Sequence, residues 1–191
     1  MMKRRVSMFK LEVDESITLR MLEPSDAKEL FKVMDQSRSS LRRWLPWVET
    51  NETWKDTRMF IDISLRQLER DESMQMGILF QEKLVGVIGY YHIDRDNRTV
   101  SIGYWLGENY RGRGIMTRAC RSMVNAAFGE QGFNRVEIRC AAGNEASKGI
   151  PKRLGFVYEG RARQGQRLYN QFVDLEIYSA LAKEWLEVVK Y

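Results

Sequence analysis

The sequence predicts a mixed α/β fold in a single domain, 1–191, with a mostly antiparallel central sheet flanked by helices. Two observations carry this expectation. Between Met76 and Leu106 the apolar residues form strand-like runs, interrupted by short polar turns, as in an antiparallel meander. From Gly114 onward helical and strand periods alternate, which is the pattern of β-α-β-α units. At 191 residues the chain is long enough to bury a core without staples, and no repeat or Pro/Gly/Ser linker divides it.

The elements follow in order. Ile17 to Leu22 (ITLRML) reads as an opening strand, and Asp26 with Glu29 as a capping box for a helix carrying Ala27, Leu30, Phe31 and Met34. A second helix is expected over Trp54 to Glu69, with Trp54, Ile61, Leu65 and Leu68 on its inner face. Gln81-Glu82-Lys83 separates two apolar runs as a hairpin turn. Asp94 to Arg98 is a second polar turn before a strand over Thr99 to Leu106. A helix opened by Gly114 follows, with Ile115, Ala119, Met123 and Ala126 on one side. Val136, Ile138 and Cys140 alternate in RVEIRCA. A short helix over Ala146 to Leu154 and strands near Phe156 to Glu159 and Phe172 to Leu181 finish the chain.

Composition excludes several classes. Two cysteines without paired spacing and a single histidine argue against a disulfide framework or a Cys/His metal site, and suit a reducing cytoplasm. The basic start MMKRRVSMFKLEV lacks the apolar core of a signal peptide, and no apolar run approaches the length of a membrane span. A net charge of +5 suits an anionic ligand or acidic partner. It is too diffuse for nucleic acid, since no block of basic residues occurs.

The stretch NYRGRGIMTRA puts Arg111, Gly112, Arg113 and Gly114 at a strand-to-helix corner. The first turn of a helix leaves N–H groups unpaired at the positive end of its dipole. Glycine there admits a close approach to those amides, and the arginines add charge, so the corner reads as a pyrophosphate site or as a corner that needs room. It is neither a P-loop, which needs Gly-Lys-Ser/Thr, nor a dinucleotide fingerprint, because position 117 is Thr.

The corner resembles the acyl-CoA-binding segment of the GNAT N-acetyltransferase superfamily, Arg/Gln-x-x-Gly-x-Gly/Ala, at Arg111, Gly114 and Met116. Met116 departs from the small-residue preference, and a GIM sequence at this place is similar to the RimJ/RimL-like branch, which acetylates ribosomal-protein N-termini. Four further stretches agree in order and distance: LRRWLPW (Leu41 to Trp47), IGYWL, NEASKGIPKRLGF (Asn144 to Phe156) and EGRAR. The resemblance covers Ile17 to Trp185. It implies a GNAT fold with a splayed strand pair, acetyl-CoA as cosubstrate and no metal, and it is compatible with a homodimer without fixing the oligomeric state.

The resemblance also implies roles. Pantetheine pairs with the strand at Tyr104, Trp105 and Leu106, one of whose N–H groups polarises the thioester carbonyl. Pyrophosphate rests on Arg111, Gly112, Arg113, Gly114, Ile115 and Met116. Many members use as acid a tyrosine seven residues after the asparagine, but Pro151 stands there. The branch's serine, three residues after the asparagine, matches Ser147, which acts as acid or merely fills a helix turn. Ser147 also lies among the cofactor contacts. The branch's downstream glutamate matches Gln166, which cannot take a proton. His92 serves as the base or is a structural strand end, Glu137 and Glu159 are further carboxylates to weigh, and water-mediated deprotonation with no dedicated base is the equal alternative. Asn144 contacts cofactor or caps a helix. Lys148 and Arg153 pair with phosphates or face solvent. Trp44, Leu45 and Trp47 form a substrate wall or ordinary packing. The acceptor is a protein N-terminus, with a small amine as the alternative, and a non-catalytic acyl-CoA sensor is the reading from another class.

Overall fold

A computed structural model describes the backbone of residues 9–188 and the side chains as far as residue 185. The basic start of the chain lies outside the described residues as far as Met8. The strands are β1 (Lys10–Glu12), β2 (Ile17–Met21), β3 (Met74–Phe80), β4 (Lys83–Asp94), β5 (Thr99–Leu106), β6 (Arg135–Ala141), β7 (Val157–Leu168) and β8 (Gln171–Leu181). The helices are α1 (Ala27–Gln36), α2 (Arg38–Leu41), α3 (Trp54–Glu69), α4 (Ile115–Phe128), α5 (Glu145–Arg153) and α6 (Ala182–Val188). The strands lie in the order β1-β2-β3-β4-β5-β6-β8-β7. The described chain forms two compact units, one of residues 9–89 and 104–119 and the other of 90–103 and 120–188.

In the first unit β2 pairs antiparallel with β1 and β3, Leu19 lying opposite both Leu11 and Ile78. Alternation along β2 buries Ile17, Leu19 and Met21. Leu22, Ala27, Leu30, Ile61, Leu84 and Val87 form the main apolar cluster, and Met34, Leu41 and Val48 a second one. The turn from β3 to β4 puts Gln81 and Glu82 at φ 49° and 66°, the left-handed pair of a tight hairpin.

Two expectations are corrected here. Asp26 and Glu29 do not form a capping box. Asp26 accepts both guanidinium N–H groups of Arg20 at 2.7 Å and the Glu23 amide at 2.7 Å, while Glu29 accepts the Leu84 amide at 3.1 Å. The box falls one turn earlier, between Glu23 and Asp26. α3 has the expected bounds, but its fully buried positions are Thr57, Ile61 and Ser64. Trp54 is exposed beneath the Lys28 ammonium, 5.2 Å from the ring centroid, and Thr53 with Asp56 supplies the box that starts the helix.

In the second unit β5 and β6 pair in parallel over Thr99–Arg135, Val100–Val136 and Ser101–Glu137. The ladder ends there although β6 runs on to Ala141. From Arg135 to Ala141, β6 instead pairs throughout with β8. Val136, Ile138 and Cys140 are buried as the alternation requires, and Tyr178 and Ala180 share their face. β7 is much longer than its expected span. It stands at the sheet edge, carries Arg161, Arg163 and Arg167, and is irregular between Tyr158 and Gly160 and between Ala162 and Gln166.

Gly86 has no room for a side chain, since a Cβ there would stand 2.4 Å from the Trp105 carbonyl and 3.0 Å from the Leu106 Cα. Both neighbours are backbone, so β5 itself has to shift. Gly86→Ala is expected to cost about 1–3 kcal/mol of stability, read as a lowered midpoint in thermal or urea unfolding. An unchanged midpoint would show that β5 yields freely.

Candidate active site

β5 ends at Leu106 because the next residue leaves the ladder. The Gly107 amide donates to the Val85 carbonyl at 2.8 Å, and a Cβ on Gly107 would stand 2.9 Å from Val33 Cγ1. The Glu108 amide then donates to Ser37 Oγ at 2.9 Å, and Ser37 Oγ donates to the Val33 carbonyl at 2.9 Å. The chain makes one 3-10 turn over Glu108–Tyr110, extends at Arg111, and reaches α4 through Gly112 at φ 75° and Gly114 at φ 71°.

A Cβ on either of these glycines would meet no other atom within 4 Å. Packing therefore does not require glycine there; the left-handed backbone does. Arg111 to Gly114 are exposed, whereas Ile115 and Met116 are buried. The amides of Gly114, Ile115 and Met116 open α4 without intrahelical acceptors, and the exposed stretch from Arg111 to Gly114 leads into them. Arg118, which the sequence reading does not single out, braces this corner from behind. Its Nη2 donates to the Arg113 carbonyl at 3.4 Å, and its Nη1 donates to Asp14 Oδ2 at 2.5 Å and Ser16 Oγ at 3.4 Å. Arg118 lies one helical turn past Gly114, which a sequence can show, but Asp14 is remote in the chain and carries no such signal.

The same unit holds the segment from Trp44 to Trp47. Arg38 clamps it, donating to the carbonyls of Val48 and of Asn51, the latter at 2.7 Å. Leu45 packs on the Met34, Leu41 and Val48 cluster, so it is wall from within. Trp47 is 40% exposed and tilts against Trp105 with ring centroids 6.1 Å apart. Trp44 is half-buried under the Arg43 guanidinium at 5.8 Å, and Arg42 pairs with Glu49. Arg113 lies over the Tyr110 ring at 5.9 Å. Tyr104 and Trp105 are half-buried at the end of β5, and Leu106 is buried.

In the second unit Asn144 caps α5, its Oδ1 accepting the Ser147 amide at 3.2 Å. Ser147 Oγ lies 3.2 Å from Cys140 Sγ. Lys148, expected to pair with phosphates or to face solvent, turns inward, where its ammonium pairs with Glu145 at 2.6 Å and Glu176 at 3.6 Å. Arg153 folds back over Gly149. His92, at φ 51°, lines a cleft of about 330 Å³ with Asp94, Ser101, Glu137 and Arg139. Glu137 and Arg139 alternate with Cys140 along β6. His92 and Ser147 are therefore not brought together: they serve opposite faces of one strand.

The carboxylates weighed as bases are poor ones. Burial pulls Glu137 up, but Arg135 and Arg139 outweigh it and hold the group below the usual carboxylate range. Arg135 holds Glu159 down to about 2, with help from the Ser179 hydroxyl at 2.7 Å. Both stay anionic at neutral pH and have little affinity for a proton.

The profile of the acetyltransferase (GNAT) domain matches residues 16–157 of this chain. The chain belongs to the GNAT acetyltransferase family. As a member it is an acetyl-CoA-dependent N-acetyltransferase. It is 39% identical over 181 residues to a Bacillus subtilis protein whose name, ribosomal N-acetyltransferase YdaF, is itself provisional, covering 93% of this chain and 98% of that one. It is 26% identical to the ribosomal-protein-serine acetyltransferase of Escherichia coli, over 90% of this chain and 96% of that protein. Among solved structures, the microcin C7 self-immunity acetyltransferase MccE in complex with acetyl-CoA and AMP superposes with a TM-score of 0.88 at 28% identity. That match covers 92% of this chain and 98% of the chain in that structure. Among the described residues no helix is long and apolar enough to cross a membrane.

The depressed pKa of Glu159 has a pH consequence. The folded value of about 2 lies below an unfolded value near ~4.3, so its stabilisation is complete above the latter and fades as pH falls through the former. At 38% side-chain exposure the effect is small and weakened by salt. Melting curves should show the native protein losing stability more steeply than Glu159→Gln between about pH 4.5 and 2. Parallel curves would remove Glu159 from the acid response.

Proposed function

We propose that the acceptor is the N-terminal α-amine of a protein, a ribosomal protein above all, acetylated in the cytoplasm by direct attack in a ternary complex. The observation that carries this reading is exposed Trp47, packed against half-buried Trp105 of β5 and preceded in the chain by Arg42 and Arg43. An aromatic wall beside the Arg43 guanidinium, with Arg42 paired to Glu49, suits an extended peptide that carries an acidic residue. It offers little to a polycation such as a polyamine or an aminoglycoside, which calls for carboxylates. The names of YdaF and the E. coli relative lend weight to a ribosomal acceptor. A second reading, a small-molecule amine, draws on the likeness to MccE, whose structure holds AMP.

In the proposed reaction the neutral amine attacks the thioester carbonyl carbon, forming the C–N bond. A backbone N–H at Tyr104, Trp105 or Leu106 stabilises the oxyanion. Collapse breaks the C–S bond, and the thiolate takes its proton from Ser147, directly or through water, the serine hydroxyl being reprotonated in turn from solvent. The nitrogen sheds its proton to water or to His92. That His92 and Ser147 serve opposite faces of β6 suits a base and an acid working from opposite sides. The exposed corner from Arg111 to Met116 suits the pyrophosphate, with Arg118 holding its shape.

Free-thiol release from acetyl-CoA, measured against a panel of peptide N-termini and small amines, tests the acceptor. Release with acidic peptides is expected, and release only with small amines would overturn the reading. Ser147→Ala should lower turnover with little change in acetyl-CoA affinity; undiminished turnover removes Ser147 from the mechanism. Arg118→Ala should raise the KM for acetyl-CoA about tenfold while leaving kcat nearly unchanged, since it removes a charge-assisted brace on the cofactor corner. A fall in kcat alone would contradict that role.

A further inference from the structure

α5 is a weak helix for the task it is given. Gly149 costs about 1 kcal/mol of helix propensity relative to alanine. Pro151, inside the helix, has no N–H to donate to the Ser147 carbonyl four residues earlier. Propensity alone therefore does not hold the turn that carries Ser147. Something else must, because the 3.2 Å separation of Ser147 Oγ and Cys140 Sγ demands a fixed backbone.

The adjacent residue supplies the hold. Lys148 is buried, and its ammonium lies between Glu145 of its own helix and Glu176 of β8. Glu176 stands directly opposite Cys140 in the β6–β8 ladder, so it shares Cys140's face of the sheet. It is only 8% exposed, and its oxygens accept the Tyr178 hydroxyl at 2.9 Å and the Arg161 guanidinium at 2.9 Å. Glu176 is thus fixed by its own strand and by two further donors, and it reaches across to Lys148, which ties the first turn of α5 to the sheet beside the cap that Asn144 supplies from the chain before it.

We propose that Glu176 is a positioning residue for catalysis: through Lys148 it pins the first turn of α5 and thereby aims Ser147 at the leaving thiolate. The proposal rests on the assignment of Ser147 as the acid. It also gives Lys148 a different task from phosphate binding. Burial works against the charge on Glu176, but Tyr178, Arg161 and Lys148 outweigh it and keep the group below the usual carboxylate range. The pin is therefore ionic at working pH.

The test is a double-mutant cycle on the full chain. Glu176→Gln keeps the size of the side chain and its acceptor for Tyr178, but removes the charge that holds Lys148. It should lower kcat about tenfold or more with the KM for acetyl-CoA within about twofold, using an acceptor peptide active in the panel above. In a Ser147→Ala background the same substitution should cost nothing further, because the group it aims is gone. Lys148→Met, which cuts the pin from its other end, should reproduce the kcat loss and its disappearance in that background. Hydrogen exchange on the free protein needs no acceptor. The amides from Ser147 to Ile150 should exchange about tenfold faster in Glu176→Gln, those of β8 remaining unchanged. Equal losses with and without Ser147, a raised KM in place of a lowered kcat, or unaltered exchange in α5 would each overturn the proposal. Full activity of Ser147→Ala would instead overturn the acid assignment, with the exchange result still deciding whether the pin exists.

Discussion

Left-handed backbone at Gly112 and Gly114 is the constraint on which much of the first unit turns. Between Leu106 and Ile115 the chain has to exchange an extended strand for a helix within eight residues. An L side chain at either position would be strained even in open space, so ordinary residues would take the turn along another path. Everything around the turn is braced accordingly. Val85 and Ser37 hold its entry, Arg118 and Asp14 its exit, and Gly86 lets the end of β5 lie close against β4. Trp105, in that last stretch of β5, meets Trp47, so the strand that prepares the corner also carries one ring of the aromatic pair.

The second unit solves a different problem. β6 must offer an apolar face to the core and still serve polar chemistry at its end. Period-two alternation does this without distortion: Val136, Ile138 and Cys140 point one way, while Glu137 and Arg139 point the other. Arg135 then ties Glu137 and Glu159 together, which keeps both charged. A strand cannot place a group on both faces at once, and the separation of His92 from Ser147 follows from that alone.

Elements set by periodicity were legible in the sequence. Thr99–Leu106 and Trp54–Glu69 coincide with the expected spans, because long repeats of apolar residues leave few alternatives. What escaped was set by contacts remote in the chain. Asp26 and Glu29 have the spacing of a capping box, yet Arg20 and the Leu84 amide claim them. β1 is three residues long and shows no period, and the outer part of β7 hides because its irregularities break the alternation. At the site, Gly112, Gly114, Asn144 and Ser147 could be named from motifs, each of which is local. Arg118's partner Asp14 could not. Glu176 did leave a trace: a carboxylate at an inward position in a strand whose other inward residues are Tyr178 and Ala180 asks for a buried partner. The sequence does not say that the partner is Lys148.

The form of β7 bears on how the protein behaves in company. A long, regular edge strand is an open template on which a second chain can add a strand of its own. β7 is long but not regular, and its bends at Gly160 and near Gln164, where φ reaches 52°, spoil the spacing such a template needs. Arg163 and Arg167 place like charges along it, Arg161 being paired with Glu176, so two such edges repel when they meet. The same kinks that hid the strand from a reading of periodicity therefore make this edge a poor template for a second chain.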